Sequence, residues 1–234
     1  ERYGFADNSD WRICDVDYGD GTTRWNVWRN GDPWAAFEMQ LAGEYNVLNA
    51  TAAAAMAANY GIKVDVIASA LRSFRSVKRR LEVRAEVHGV TIIDDFAHHP
   101  TAIRETLKAL RTRYRGRRLW AILEPRSNTL RRKVFEAELS ESLAQADEIV
   151  LAGVFKSDAI PETERLHGEN VIARLTAIGK TARLLPSADS IVDAVAPELR
   201  EGDVVAILSN GGFGGIYEKL PAKLNSLREV STPA

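Results

Sequence analysis

Apolar positions in the first forty residues fall into short runs separated by turn-forming pairs. Runs over 11–16, 24–29 and 35–41 are bounded by Asp20-Gly21, Asn30-Gly31 and Asp32-Pro33, a pattern that predicts antiparallel strands. Asn30-Gly31 suits a tight hairpin, because both residue types tolerate positive φ. Four of the five tryptophans (Trp11, Trp25, Trp28, Trp34) fall in this stretch and are read as packing rather than as a base-stacking platform. The texture then changes. Residues 46–59 are rich in alanine and predict a helix closed by Gly61, with a second helix over 64–74.

After the basic run Lys78-Arg79-Arg80 the pattern becomes an alternation. Strands are predicted over 81–87, 90–93, 119–123, 148–151, 182–185 and 204–208. Between them, Ile103/Leu107/Leu110, Phe135/Leu139/Leu143 and Ile191/Val195/Leu199 recur at helical spacing. Such alternation predicts an α/β domain whose mostly parallel sheet is covered by helices on both faces. The expected organisation is a first domain over 1–76, a second over 77–225, and a flexible tail over 226–234.

Composition narrows the function classes. The chain of 234 residues carries 31 Lys and Arg against 32 Asp and Glu, a net charge of −1, so no global field invites nucleic acid or an anionic membrane. Basic residues do cluster at 78–80, 111–118 and 126–133, either as solvated faces or as sites for phosphate or carboxylate. One cysteine, Cys14, excludes an internal disulfide and fits a reducing cytoplasm. No apolar run is long enough for a membrane span. The polar opening at Glu1, without an initiating methionine, reads as the interior of a longer chain.

Ligands of open α/β sheets bind beyond the carboxyl ends of the strands, and three segments there are unusual. Asp94-Asp95-Phe96-Ala97-His98-His99-Pro100 places two carboxylates and two imidazoles before a helix that Pro100 can start. Either these groups meet a ligand, or Asp94 or His99 caps the helix. Neighbouring side chains on one strand end point apart, so no metal centre is expected. Glu124-Pro125-Arg126-Ser127-Asn128-Thr129 sets a guanidinium before three capping residues, which suits an anion or an ordinary helix start. Ser209-Asn210-Gly211-Gly212-Phe213-Gly214-Gly215 brings its backbone close to something, a strand or a ligand. Its glycines fail the dinucleotide fingerprint, since Tyr217 stands where the last glycine belongs, and no P-loop signature occurs in the chain. A nicotinamide oxidoreductase is thereby disfavoured, whereas a non-catalytic binding module stays open.

Read in order, these segments resemble the Mur ligase family of ATP-dependent amide-forming enzymes. Gly43-Glu44-Tyr45-Asn46-Val47-Leu48-Asn49-Ala50 resembles the family's G-x-H-N-x-x-N-A, with Tyr45 in place of His. Lys78-Arg79-Arg80-Leu81-Glu82 resembles the arginine signature that opens the last domain, and residues 94–101 resemble the D-D-[YF]-[AG]-H-H-P-T of the muramate-binding subgroup. The second and third loops look more like the peptide-adding members than the L-alanine-adding ones. The resemblance implies a Rossmann-like C-terminal domain preceded by the end of a P-loop ATPase domain. It also implies cytoplasmic work in peptidoglycan recycling: UDP-N-acetylmuramate joined to L-alanyl-γ-D-glutamyl-meso-diaminopimelate through an acyl phosphate, with ATP and Mg2+ whose metal ligands lie upstream. On that pattern Asn49, Arg80 and Asp95 meet ATP, and His98 with Asp95 serves the reacting centre. Phe96, His98, His99, Arg126, Ser127, Asn128, Lys156, Ser209, Asn210, Gly211 and Gly212 meet the muramate or the peptide. Such a site is completed by domain closure, so the chain alone is expected to be inert.

Overall fold

The structure is a computed structural model that describes residues 1–19 and 21–229. It divides into two compact units, the first ending at Val77 and the second starting at Lys78.

In the first unit β1 (Tyr3–Gly4), β2 (Trp11–Gly19), β3 (Thr22–Arg29) and β4 (Asp32–Met39) form one sheet in chain order. β1 runs parallel to β2, and the other pairs are antiparallel. Asn30 and Gly31 take φ of 51° and 93° at the hairpin tip, while Asp32 and Pro33 belong to β4 rather than to a turn. Asp20, half of the other predicted turn, lies outside the described residues. One face buries Trp11, Ile13, Trp25, Val27, Phe37 and Met39 at every second position. Against it pack α1 (Glu44–Asn59), through Val47, Ala50, Ala54 and Ala55, and α2 (Val64–Ser73), through Ile67. The small side chains of α1 let the tryptophan rings lie close, and Trp25 Nε1 donates to the buried Thr51 Oγ1 at 3.0 Å. Trimming one buried indole to alanine costs on the order of 3–5 kcal/mol.

The second unit holds a six-stranded sheet in the order β5-β6-β10-β7-β8-β9. Its strands are β5 (Glu82–Val87), β6 (Val90–Asp95), β7 (Leu119–Leu123), β8 (Glu148–Ala152), β9 (Thr181–Leu185) and β10 (Val204–Leu208). All neighbours are parallel except the β5–β6 hairpin. The three central strands β6, β10 and β7 are buried at every residue, because helices cover both faces. On one side lie α6 (Ala188–Val195) and α7 (Ile216–Glu229), packed on Ile92, Trp120, Ile122, Val205 and Ile207. On the other lie α3 (Pro100–Arg113), α4 (Glu136–Leu143) and α5 (Gly168–Ala177). Two of these helices are not legible in the apolar spacing. α5 buries only Val171 and Leu175 as large apolar side chains, and α7 carries Pro221 inside it, held by the buried Ile216, Leu220 and Leu224. Residues 226–229 of the expected tail therefore belong to α7, and 230–234 lie outside the described residues.

Candidate functional site

β10 enters the sheet between β6 and β7, so the loops that follow these three strands lie side by side. Their backbones are tied one residue beyond the strands. Ser209 N donates to the Asp95 carbonyl at 3.2 Å, and Glu124 N donates to the Leu208 carbonyl at 3.0 Å.

Asp94 and Asp95 leave β6 on opposite errands. Asp94 receives the Arg79 Nε at 3.1 and 3.2 Å. Asp95 is 1% exposed, and its oxygens accept from Leu81 N (2.8 Å), Ala97 N (2.8 Å) and Thr106 Oγ1 (3.2 Å). Burial raises its pKa, against the lowering effect of those hydrogen bonds and of nearby Arg80. Asp95 was expected at the nucleotide and the reacting centre; in the structure its oxygens take three donors from the protein itself, an internal job. That job is the turn into β5. Arg79 and Leu81 both hold left-handed φ, 61° and 48°, without being glycine. Asp95 on Leu81 N and Glu82 on Arg79 N (2.7 Å) stabilise this turn, and Arg80 between them is exposed.

Arg79, which the motif reading passed over in favour of Arg80, reaches across the rim. Its Nη2 donates to the Ser209 carbonyl (2.7 Å), the Gly211 carbonyl (3.0 Å) and Tyr217 Oη (2.9 Å), and its guanidinium lies 5.3 Å from the Phe96 ring centre. Burial opposes the charge of Arg79, yet its bonds to Asp94 and Tyr217 outweigh that and hold it protonated. Burial and the Asp94 charge push the Tyr217 phenol above its ordinary value.

The second loop is bound to both others. Glu124 is 7% exposed and accepts from Ser209 Oγ at 2.5 Å, while Arg126 Nη1 stands 3.6 Å from its other oxygen. Arg126 lies 3.8 Å from the Phe155 ring centre, and a Cβ at Gly211 would land on the guanidinium. This is the close approach for which the glycine is needed. Ser127 Oγ donates to the His98 carbonyl at 3.2 Å and caps Leu130 N at 3.1 Å. Phe155 N donates to the Pro125 carbonyl at 3.0 Å, which brings the loop after β8 alongside.

His98 Nδ1 lies 2.8 Å from the Phe96 carbonyl, a contact that requires the proton on Nδ1 and leaves Nε2 for a ligand. His99 takes the capping alternative: its Nδ1 accepts from Thr101 N, and its ring meets Phe135 edge-on at 4.9 Å. The rim thus gathers Phe96, His98, Arg126, Ser127, Ser209, Asn210 and Gly211. Asn128 is exposed and accepts from Arg131 Nη2, Lys156 is exposed beside Phe155, and Gly212 is exposed. Asn49 lies in the first unit, exposed on α1. Glu124, Arg79 and Tyr217 were not among the expected site residues, because each acts on these loops through other groups and the segments that hold them do not show which way a side chain points. Among the described residues no three His, Cys, Asp or Glu side chains converge to hold a metal ion, and no helix is long and apolar enough to cross a membrane.

Residues 79–211 match the family model described as Mur ligase, glutamate ligase domain. The UDP-N-acetylmuramate–L-alanyl-γ-D-glutamyl-meso-2,6-diaminoheptandioate ligase of Escherichia coli (strain K12) is 38% identical over 200 residues, 85% of this chain and 41% of that protein. The UDP-N-acetylmuramate–L-alanine ligase of Nostoc punctiforme is 33% identical over 226 residues, 95% of this chain and 45% of that protein. Among solved structures, a murein peptide ligase from Psychrobacter arcticus superposes with a TM-score of 0.64 at 33% identity, covering 95% of this chain and 46% of that one. The UDP-N-acetylmuramate–alanine ligase of Thermotoga maritima gives 0.77 at 21% identity over 98% of this chain and 48% of that one, a likeness of fold. The chain spans less than half the length of these relatives. It belongs to the Mur ligase family.

Proposed function

We propose that this chain is the C-terminal part of an ATP-dependent ligase that joins L-alanyl-γ-D-glutamyl-meso-diaminopimelate to UDP-N-acetylmuramate in the cytoplasm, as part of peptidoglycan recycling. The observation that carries the choice of a peptide is Arg126. Its guanidinium lies 3.8 Å from the Phe155 ring centre and meets Glu124 only at 3.6 Å, so it keeps N–H groups for a carboxylate on the rim. The tripeptide carries carboxylates well beyond its reacting amine, whereas free L-alanine carries one beside it. The identity of 38% and 36% to two ligases named for the peptide supports the same reading. L-alanine is the second reading, favoured by relatives of that name that match up to 96% of this chain at 33% identity.

In this reading the lactyl carboxylate of the muramate takes the γ-phosphoryl group of ATP and releases ADP. The alanine amine of the peptide then attacks the acyl phosphate, the amide forms, and inorganic phosphate leaves with the displaced oxygen. His98 Nε2 faces the muramate side and accepts a proton from the attacking amine, and Phe96 flanks it edge-on at 5.2 Å. Arg126, Ser209 and Asn210 orient the peptide, and Ser127 holds the His98 loop. Arg80 contributes a nucleotide contact, and Asp95 contributes by fixing the turn that carries Arg80. Magnesium neutralises phosphate charge when bound. In this reading its ligands lie upstream of this chain.

The test is ligation by the full-length protein that contains this chain. Phosphate release with UDP-N-acetylmuramate should show a kcat/KM at least tenfold higher for the tripeptide than for L-alanine. Preference for L-alanine establishes the second reading, and turnover of neither sinks both.

A further inference from the structure

We propose that Arg79 is a positioning residue whose guanidinium clasps the 209–212 loop and so sets affinity for whatever that loop holds. The inference rests on the reading of this rim as the peptide side of the site. A run of four glycines within 211–215 has few side chains with which to fix its own backbone, so its conformation must be imposed from outside. Two devices do this. On one flank Glu124 binds Ser209 Oγ, which in turn accepts from Gly211 N at 2.9 Å. On the other, Arg79 Nη2 shares its protons among the carbonyls of Ser209 and Gly211 and the Tyr217 hydroxyl.

The clasp grips the residues on either side of Asn210, whose Oδ1 is buried without a partner. A fixed acceptor of this kind is satisfied by an N–H donor brought by a ligand, such as an amide or an ammonium group. The rings of Phe96 and Tyr217, 5.3 and 5.5 Å from the Arg79 guanidinium, hold the planar group in place, and Asp94 balances its charge. Only a planar fork reaches Asp94 through Nε and two carbonyls through Nη2 at once, so lysine is not an equivalent. The left-handed backbone at Arg79 gives the side chain this direction, whereas Arg80, the next residue, is exposed.

The experiment compares Arg79→Lys and Tyr217→Phe with wild type in the full-length protein. Both variants keep the charge on Asp94 balanced or the ring packed, so folding is retained. Amide hydrogen exchange over 209–215 should accelerate at least tenfold in Arg79→Lys and less in Tyr217→Phe, with β7 and β8 unchanged. Peptide KM should rise at least tenfold, while kcat and the ATP KM stay within twofold. Unchanged loop exchange overturns the proposal, as does acceleration spread across the whole sheet, which marks a merely structural residue. A loosened loop with an unchanged peptide KM overturns it too. If wild type does not ligate peptide, the functional reading fails on its own, and the exchange data still decide whether Arg79 clasps the loop.

Discussion

The two edges of the second unit's sheet use arginine in opposite ways. At the amino-terminal edge, the run 111–118 is spent on closing the fold. Arg111 donates to Asp147 Oδ2 (2.9 Å) and the Gln145 carbonyl, Arg117 to Thr91 Oγ1 and the carbonyls of Gly89, Gly202 and Asp203, and Arg118 to both oxygens of Asp203. At the carboxyl edge Arg126 is braced by a ring, with its acid partner at the limit of an ion pair, and the Asn210 oxygen has no partner. The direction of the strands accounts for much of this. Parallel strands place helix C-termini at the first edge, where cations such as Arg111 and Arg113 complement the dipole of α3. They place helix N-termini and ligand loops at the second. The contrast is between the basic run at the amino ends and Arg126; Arg79, also at the carboxyl ends, is bound to protein groups.

Asp203→Ala should produce the largest effect on this contrast. Asp203 is 3% exposed and accepts from Arg118, Arg200 N and Trp120 Nε1, so its loss leaves a buried indole N–H without its acceptor and takes from Arg118 its shortest ion pair. Such a deletion costs about 3–5 kcal/mol, which thermal unfolding reads as a fall in Tm of roughly 10 °C. Ligand affinity of the folded fraction should not change. Arg126→Ala should do the reverse, losing a charged contact worth about 1.5–3 kcal/mol, hence roughly 10- to 100-fold in peptide affinity. Calorimetric titration with peptide and a melting curve on the same sample check both halves. Equal losses of Tm in the two variants would break the contrast between the edges.

Much of the fold follows from runs that leave little choice. Strands over 119–123 and 204–208 are pure apolar segments bounded by charged or polar residues, Arg118 and Glu124, Asp203 and Ser209, and the structure places them with those limits. α5 and α7 escape the same reading because one shows two large buried apolar residues and the other a proline. At the site, the three loops are legible because ionisable and turn-forming residues crowd there. The direction of each side chain is not. Arg79 and Arg80 are identical as letters, and a left-handed φ that neither announces turns one inward. Asp94 and Asp95 are equally alike, and only the donors around them show that one holds Arg79 and the other the turn at Leu81.

The smallest expected effect is a difference in sign between two aspartates. Burial pushes Asp147 up, but the Arg111 hydrogen bond and Leu119 N outweigh it, so its pKa lies below the ordinary aspartate value. Its stabilisation is present above that ordinary value and is lost as pH falls through the lower folded one. Asp95 behaves oppositely. Burial outweighs its N–H partners and raises its pKa, so the folded chain holds that proton more tightly than the unfolded one. Its contribution is most favourable below the ordinary value and declines as pH rises towards the folded one. Urea unfolding of wild type, Asp147→Asn and Asp95→Asn between about pH 3 and 7 brackets both titrations. The stability lost in Asp147→Asn should grow with pH, and that lost in Asp95→Asn should shrink, whatever constant offset the amide's mismatched donor adds. Two slopes of the same sign would mean that the donors on Asp95 outweigh its burial, and the raised pKa assigned to it would fall.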